Sequence, residues 1–160
     1  MKIGIYGGTF DPIHRGHITA AQAAAQQLGL DLLLLIPASV PPHKALPQGS
    51  ADAADRLEMA ALACAELGPQ AQALDTELHR TGPSYTVDTL RQLRMEHPED
   101  ELWLLMGTDM FLTFQAWRDP AKILGLAGIA AFGRTQSDTR ELFLVQQDYL
   151  HRTYPHARIF

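Results

Sequence analysis

The sequence has little cysteine and no long apolar run. Its single cysteine, Cys64, excludes an intramolecular disulfide and a zinc site built from cysteines alone, and it suits a reducing compartment. The longest aliphatic stretch, Leu32 to Ile36, is far shorter than the roughly 20 residues that a membrane-spanning helix needs. The N-terminus also lacks the apolar core of a signal peptide. We therefore expect a cytoplasmic protein without a membrane partner.

Positive charge is also scarce. Thirteen lysine and arginine residues stand against eighteen aspartate and glutamate residues, which gives a net charge of -5. No broad basic field is therefore available for the backbone of a nucleic acid, and we expect no polymer of that kind as a partner. The 160 residues, 46% of them hydrophobic, fit one domain with one core.

Short apolar runs alternate with helical patterns along the chain. This alternation predicts a single α/β domain with a Rossmann-like, doubly wound parallel sheet of about five strands. The second and fourth strands are continuously apolar, as in strands that are buried on both faces, so we place them in the middle of the sheet. The predicted strands are Lys2 to Tyr6, Asp31 to Pro37, Gln72 to Leu74, Glu101 to Met106 and Gly128 to Phe132.

Apolar residues at helical spacing predict three helices that cover the sheet. Their core-facing stripes are expected to be Ile18, Ala21, Ala25 and Leu28, then Leu57, Ala60, Ala61 and Cys64, and finally Leu142, Val145 and Tyr149. A further helix is predicted from Pro83 through Leu93, with Ser84 or Thr86 as its cap.

The segment Ala38 to Ser50 contains three prolines and a glycine after the second strand, and we interpret it as a loop. Ligands of open α/β sheets bind outside the carboxyl ends of the strands, so this loop is expected to lie over a site. An ordinary surface connection is the alternative.

The segment GGTFDPIHRGH, residues 7 to 17, joins the first strand to the first helix. Gly7 and Gly8 would let backbone N–H groups approach a phosphate at the positive end of that helix. The pattern is neither the dinucleotide fingerprint nor the P-loop, and two glycines in such a turn also fit plain turn chemistry.

Two histidines in the same segment strengthen the case for an anion site. His14 and His17 are three residues apart, so on a helix they would share a face and could donate to phosphoryl oxygens. A metal pair is one alternative, although H-E-x-x-H is absent from the sequence. A structural, hydrogen-bonded pair near the helix end is the other alternative.

These residues resemble the first signature of the nucleotidylyltransferase superfamily, and their spelling is most similar to that of bacterial nicotinate-nucleotide adenylyltransferases. Four further segments are similar to that family in order and spacing. They are PPHK (41–44), DRLEM (55–59), GPSYTVDTL (82–90) and GTDMFLTFQAWRDP (107–120). The resemblance runs from Met1 to about Arg134, and GPSYTVDTL separates this family from the phosphopantetheine branch.

The resemblance implies an enzyme that transfers AMP from ATP, with Mg²⁺, to nicotinate mononucleotide. The products would be deamido-NAD and pyrophosphate, in NAD biosynthesis. The alternatives are an adenylyltransferase for nicotinamide mononucleotide and a nucleotide-binding module without catalysis.

The resemblance also implies roles for individual residues. On the ATP side it assigns backbone contacts to Gly8, Thr9 and Phe10. It assigns contacts with the ATP phosphates to His14, His17 and Lys44. It assigns contacts with the adenosine to Gly107 and Asp109. On the nicotinate side it assigns the carboxylate to the Tyr85 and Thr86 turn and the pyridine ring to Trp117. No protein metal site is implied. Plain alternatives are a solvated Lys44, an N-capping Asp109 and a Trp117 that only packs.

The last part of the family pattern is missing from this sequence. The family carries a second phosphate signature close to I-S-S-T-x-I-R, whereas Ala157 to Phe160 are similar to the strand before it. We therefore expect residues 1–160 to be a nucleotidylyltransferase domain without the family's C-terminal part. Ser137 to Arg140 precede a helical stripe and take no role, and Arg134 and the oligomeric state are left unassigned.

Overall fold

One parallel sheet organises the molecule. The computed structural model describes residues 1–8, 15–38, 53–79, 85–132 and 140–160. Five strands pair in the order β3-β2-β1-β4-β5. They are β1 (Lys2–Gly8), β2 (Leu32–Pro37), β3 (Ala71–Ala73), β4 (Glu101–Gly107) and β5 (Gly128–Phe132). The predicted α/β fold and its five strands are confirmed, and no predicted strand end is off by more than two residues.

The first strand lies in the middle of the sheet. It pairs in parallel with β2 on one side and with β4 on the other. Both continuously apolar strands are therefore interior, as predicted. From β1 the chain winds through β2 to β3, and it then crosses back to β4 and β5. The direction of winding reverses between β1 and β4, and this reversal opens a crevice at their carboxyl ends.

Helices cover both faces of the sheet. They are α1 (Arg15–Leu28), α2 (Ala53–Leu67), α3 (Thr86–Glu96), α4 (Thr108–Phe111), α5 (Pro120–Leu126) and α6 (Arg140–Thr153). Two short 3₁₀ helices span Thr76–His79 and Phe114–Ala116. The buried residues divide into two clusters because successive strand residues point to opposite faces. Ile5 packs with α3 in one cluster, and its neighbour Tyr6 packs with α1 and α2 in the other.

The predicted core face of α6 is wrong. Leu142, Val145 and Tyr149 are 46%, 71% and 47% exposed, and the helix is instead buried at Gln146 and Leu150. The reason is that α6 packs on α4. The Phe143 ring stacks on Phe111 with 5.1 Å between centroids, and the Gln146 amide donates to the Phe111 carbonyl oxygen at 2.9 Å.

The buried faces predicted for α1 and α2 agree better with the structure. Ile18, Ala21 and Leu28 of α1 are buried. In α2, Ala60 and Cys64 are buried as predicted, Leu57 is half-buried, and Ala61 is exposed. The remaining buried positions of α2 are Arg56, Ala63 and Leu67. Its buried face is therefore rotated slightly from the prediction and contains an arginine.

The last residues of the sequence extend the sheet beside β5. Ile159 forms a parallel bridge with Ile129. The Phe160 N–H donates to the Ile129 carbonyl oxygen, and the Ile129 N–H donates to the Arg158 carbonyl oxygen, each at 2.8 Å. The strand-like character of Ala157 to Phe160 predicted from sequence agrees with this pairing.

Within the described ranges, no helix is long and apolar enough to cross a membrane.

Gly128 at the start of β5 leaves space for an aromatic ring. A Cβ added there would lie 2.6 Å from Trp103 Cζ3 and 2.7 Å from Cε3. We predict that Gly128→Ala lowers the free energy of unfolding by about 1–3 kcal/mol, because the indole must move. Gly125→Ala is the matched control. A Cβ at Gly125 meets nothing within 4 Å, so this helical substitution should be neutral or stabilising by up to about 1 kcal/mol. Urea unfolding measures both, and equal effects would contradict the steric explanation.

Cys64 should be a poorly reactive thiol. Its side chain is buried on α2, and this burial raises the pKa of the thiol to about 11. The thiolate is the nucleophile, so alkylation of the folded protein at pH 8 should be roughly 100-fold slower than that of the unfolded chain. The unfolded chain loses this proton at lower pH, so the free energy of unfolding should fall as pH rises from about 9 towards 11. Cys64→Ala should remove that part of the pH dependence, and an unchanged slope would contradict this account.

Candidate active site

The candidate site lies in the crevice between the carboxyl ends of β1 and β4. Gly7 and Gly8 end β1, and Gly107 ends β4. Gly7 is exposed, and a Cβ added there would meet only the Ile36 carbonyl oxygen, at 3.7 Å. That distance is an ordinary contact, so packing within the described residues does not demand a glycine at this position. Its missing side chain leaves open space at the crevice, as an approaching ligand requires.

His17 lies in the first turn of α1, next to the crevice. Its ring meets Tyr6 edge-on with 6.1 Å between centroids, and Tyr6 meets Phe132 of β5 in the same way at 5.6 Å. Tyr6 is 2% exposed, so this aromatic row is anchored in the core. The imidazole is therefore held at the N-terminal end of α1, where the helix dipole is positive.

A second helix begins at the same edge of the sheet. Because α3 follows β3 and leads back to β4, its first turn lies towards the carboxyl ends of the strands. Tyr85 is the N-cap residue, and its carbonyl oxygen accepts the N–H groups of Asp88 at 3.1 Å and Thr89 at 3.4 Å. Thr86 is thus the first helical residue, so its predicted capping role is wrong, and Ser84 lies outside the described residues. No side chain caps this end, as far as the structure describes it, so the first N–H groups stay available to an anion.

Trp117 follows the second 3₁₀ helix and is half-buried. Its ring lies 5.3 Å from the Phe114 ring at an interplanar angle of 47°, and its backbone N–H donates to the Phe114 carbonyl oxygen at 3.0 Å. Phe114 is completely buried. The indole therefore packs on the core, as in the alternative that Trp117 only packs. This contact is also compatible with stacking on a ligand ring.

Arg118 connects the Trp117 segment to the start of α3. Its guanidinium carbon lies 4.5 Å from the centroid of the Tyr85 ring. The next residue, Asp119, has a left-handed backbone with φ 52° and ψ 56°, and Pro120 then opens α5. Sequence reasoning missed this contact. The two residues are far apart in the chain, and nothing in the motif GTDMFLTFQAWRDP indicates the pairing.

Arg56 also has a structural role that was not predicted from the sequence. It is 1% exposed and donates from Nη1 to the Ala38 carbonyl oxygen at 2.5 Å, directly after β2. A charge-assisted bond of this kind fixes the chain where the segment 39–52 departs. The available signal was a charged residue on the apolar face of a helix, in DRLEM.

A buried polar pair holds α3 against the first 3₁₀ helix. The Thr89 hydroxyl donates to a Glu77 carboxylate oxygen at 2.6 Å, and the two residues are 2% and 7% exposed. Thr89 lies one turn beyond the N-cap residue Tyr85. The pair therefore sets the position of the N-terminal end of α3 relative to β3.

Several predicted site residues lie outside the described residues, namely Thr9, Phe10, His14 and Lys44, as does the unassigned Arg134. Asp109 lies inside α4, which begins at Thr108, so the alternative that Asp109 is an N-cap is wrong. The described residues bring together Gly8, His17, Gly107, Tyr85, Thr86 and Trp117 at one edge of the fold. Where the structure describes side chains, no group of three or more His, Cys, Asp or Glu residues could hold a metal ion.

Comparison with known proteins identifies the family. A family model described as cytidylyltransferase-like matches residues 5–156. The chain therefore belongs to the cytidylyltransferase-like family. A relative from Shewanella sp. (strain W3-18-1) is 48% identical over 129 residues, which cover 81% of this chain and 59% of the relative. A relative from Shewanella baltica (strain OS223) is 41% identical over 156 residues, which cover 98% of this chain and 71% of the relative. Both carry the name "Probable nicotinate-nucleotide adenylyltransferase".

These matches confirm the resemblance predicted from the motifs, and the chain spans 59% of the length of the first of these relatives. Solved structures agree in fold. The nicotinic acid mononucleotide adenylyltransferase of Plasmodium falciparum in complex with APC superposes with a TM-score of 0.74 at 17% identity, covering 99% of this chain and 73% of that one. The same enzyme in complex with NaAD gives a TM-score of 0.73 at 16% identity, covering 99% and 74%.

The Thr89 and Glu77 pair yields a stability prediction. Thr89→Val keeps the side-chain shape but leaves a buried carboxylate without this donor, so the free energy of unfolding should fall by about 1–3 kcal/mol. Thr89→Ser keeps the hydroxyl and serves as the matched control, which should lose clearly less. Urea unfolding at pH 7 measures both variants. A clear loss in Thr89→Ser with none in Thr89→Val would mean that the γ-methyl group, and not the hydrogen bond, stabilises this position.

Proposed function

We propose that this protein is a nicotinate-nucleotide adenylyltransferase. The observation that carries the proposal is the shared position of two helix starts at the carboxyl edge of one parallel sheet. One is α1 with His17, and the other is α3, whose N-cap residue Tyr85 contacts Arg118, the residue after Trp117. Two anionic groups can bind there side by side. The names of the relatives and the NaAD and APC complexes of the Plasmodium enzyme support the same conclusion.

The proposed reaction joins two phosphates. An oxygen of the nicotinate mononucleotide phosphate attacks the α-phosphorus of ATP, and a new phosphorus–oxygen bond forms. The bond from the α-phosphorus to the bridging oxygen breaks, and pyrophosphate leaves with the electron pair. A phosphate monoester has its second pKa near 6, so the attacking group is largely a dianion at pH 7 and needs no general base. The protein has to align two anions and neutralise developing charge.

The ATP side of the crevice would supply that neutralisation. We assign backbone contacts to Gly8, Thr9 and Phe10, and phosphate contacts to His14, His17 and Lys44. Imidazole N–H and ammonium donors suit phosphoryl oxygens, and the start of α1 adds a positive dipole end. Gly107 and Asp109, at the end of β4, would contact the adenosine, with Asp109 on a ribose hydroxyl.

Magnesium enters this scheme as part of the nucleotide substrate. Mg²⁺ is usually held by substrate phosphates with few protein ligands, so it would arrive on the ATP phosphates and reduce their charge. A reaction that consumes ATP in NAD biosynthesis fits the cytoplasm, which is the compartment that we propose.

The nicotinate side would lie at the start of α3. The backbone N–H groups of the Tyr85 and Thr86 turn suit the carboxylate of the ring, and Trp117 suits the ring itself. Its indole is braced by Phe114, so stacking costs little further loss of side-chain freedom.

The first test is pyrophosphate release by this chain with MgATP and either nicotinate or nicotinamide mononucleotide. We expect release with a clear preference for the acid, and a loss of roughly 100-fold in kcat for His17→Ala, because one phosphate donor is removed. His151→Ala is the matched control. His151 is exposed on α6, away from the crevice, so its loss should leave kcat unchanged. Preference for the amide would favour the nicotinamide enzyme, and nucleotide binding without release would favour a non-catalytic module.

A further inference from the structure

Arg118 differs from the other arginines that the structure describes at the surface. Arg91, Arg152 and Arg158 each pair with a carboxylate. Arg94 donates to backbone carbonyl oxygens. Arg118 has an exposed side chain and a contact with the Tyr85 ring, and no carboxylate of the described residues lies within ion-pair distance of it. Its charge is therefore not neutralised by an ion pair in this part of the chain.

The contact with Tyr85 leaves the hydrogen-bonding capacity of Arg118 intact. A guanidinium interacts with an aromatic ring through its face, whereas its five N–H donors lie in its plane. A cation held over the ring in this way keeps its in-plane donors for a second partner. This planar fork matches the paired oxygens of an anion such as a carboxylate.

The backbone around Arg118 fixes where that charge can lie. On one side, the Trp117 N–H is bonded to the Phe114 carbonyl oxygen at 3.0 Å. On the other side, Asp119 has a left-handed φ of 52°, and its carbonyl oxygen accepts the Ile123 N–H at 3.1 Å inside α5. A non-glycine residue in this conformation persists only where its surroundings enforce it. The backbone from which the Arg118 side chain extends is thus held in one position next to Trp117.

The acidic group nearest in sequence to Tyr85 is already engaged. Asp88 lies in the first turn of α3, and its carboxylate pairs with Arg91 at 3.6 Å. Its repulsion of an incoming anion is therefore reduced. No carboxylate of the described residues pairs with the guanidinium of Arg118, so this group can attract a ligand carboxylate beside Tyr85.

We infer that Arg118 is a specificity-determining residue, whose guanidinium favours a mononucleotide with a ring carboxylate over the same nucleotide with a carboxamide. The inference rests on the proposed function and adds to it a side chain that selects between the two substrates. A carboxylate gains a charge-assisted, bidentate interaction from the fork, whereas a neutral amide gains far less.

The test compares kcat/KM for nicotinate and nicotinamide mononucleotide across three variants. Arg118→Gln should lower the preference for the acid by roughly tenfold, mainly through a higher KM for the acid, while the KM for ATP stays unchanged. Arg118→Lys keeps the charge but loses the fork, so its preference should be intermediate. Lys122→Gln is the matched control, because it removes one exposed positive charge on α5 and should keep the wild-type preference.

Ionic strength provides a second measurement on the same proteins. The wild-type preference for the acid should fall as salt is raised, and that of Arg118→Gln should change less, because a charge near the surface is screened. Titration of each mononucleotide followed by Trp fluorescence gives the same comparison for binding alone.

The outcomes separate the two proposals. An unchanged preference in Arg118→Gln, with pyrophosphate release intact, would overturn the role of Arg118 and leave the proposed function standing. Absence of release and of mononucleotide binding by the wild-type chain would overturn the proposed function and this inference with it. A loss of preference in Lys122→Gln equal to that in Arg118→Gln would show that only net charge matters, and would also overturn the inference.

Discussion

The parallel pairing of β1 with both β2 and β4 is the constraint on which the candidate site depends. A strand paired on both sides leaves the chain no way to continue except by winding outwards, first to one side and then to the other. The connection after β1 runs towards β2, whereas the connection after β4 runs the other way towards β5. The two connections therefore move apart, and a crevice opens between the ends of β1 and β4. This arrangement places three of the described candidate residues. Gly8 and Gly107 end the two strands, and His17 lies on the helix that follows the first of them.

Buried polar contacts behind the crevice fix the segments that approach it. Arg56 bonds to the carbonyl oxygen of Ala38 at the end of β2, and Thr89 bonds to Glu77 beneath the start of α3. Backbone at the end of a strand has left the sheet ladder and would otherwise be mobile, and a buried charge-assisted bond specifies one position. The apolar clusters on the two faces stabilise the fold, whereas these polar contacts position the segments that border the candidate site.

Much of the fold was predictable because its strands are short, apolar and separated by helices. The continuous apolar runs of β2 and β4 report burial on both faces, and that burial is a local property of the sequence. The buried face of α6 was not predictable in the same way. Leu142, Val145 and Tyr149 have the correct period, but the helix packs on α4 through Phe143, Gln146 and Leu150, and periodicity does not tell which of two adjacent stripes meets a neighbour. The candidate site also contains features that the sequence predicts and one that it does not. Motifs located Gly8, His17, Tyr85 and Trp117, whereas the contact between Arg118 and Tyr85 joins two motifs and exists only in three dimensions.

The pairing of residues 158–160 with β5 has a consequence for the behaviour of the protein in concentrated solution. An unpaired strand edge offers a row of N–H and C=O groups to which another chain can add a strand. On the β5 side these groups are already bonded at Ile129 and Ala131 by Arg158 and Phe160. On the opposite side the sheet ends in β3, which has only three residues. Neither β5 nor the short β3 is therefore a good template for strand addition, although the central strands of the sheet are strongly apolar.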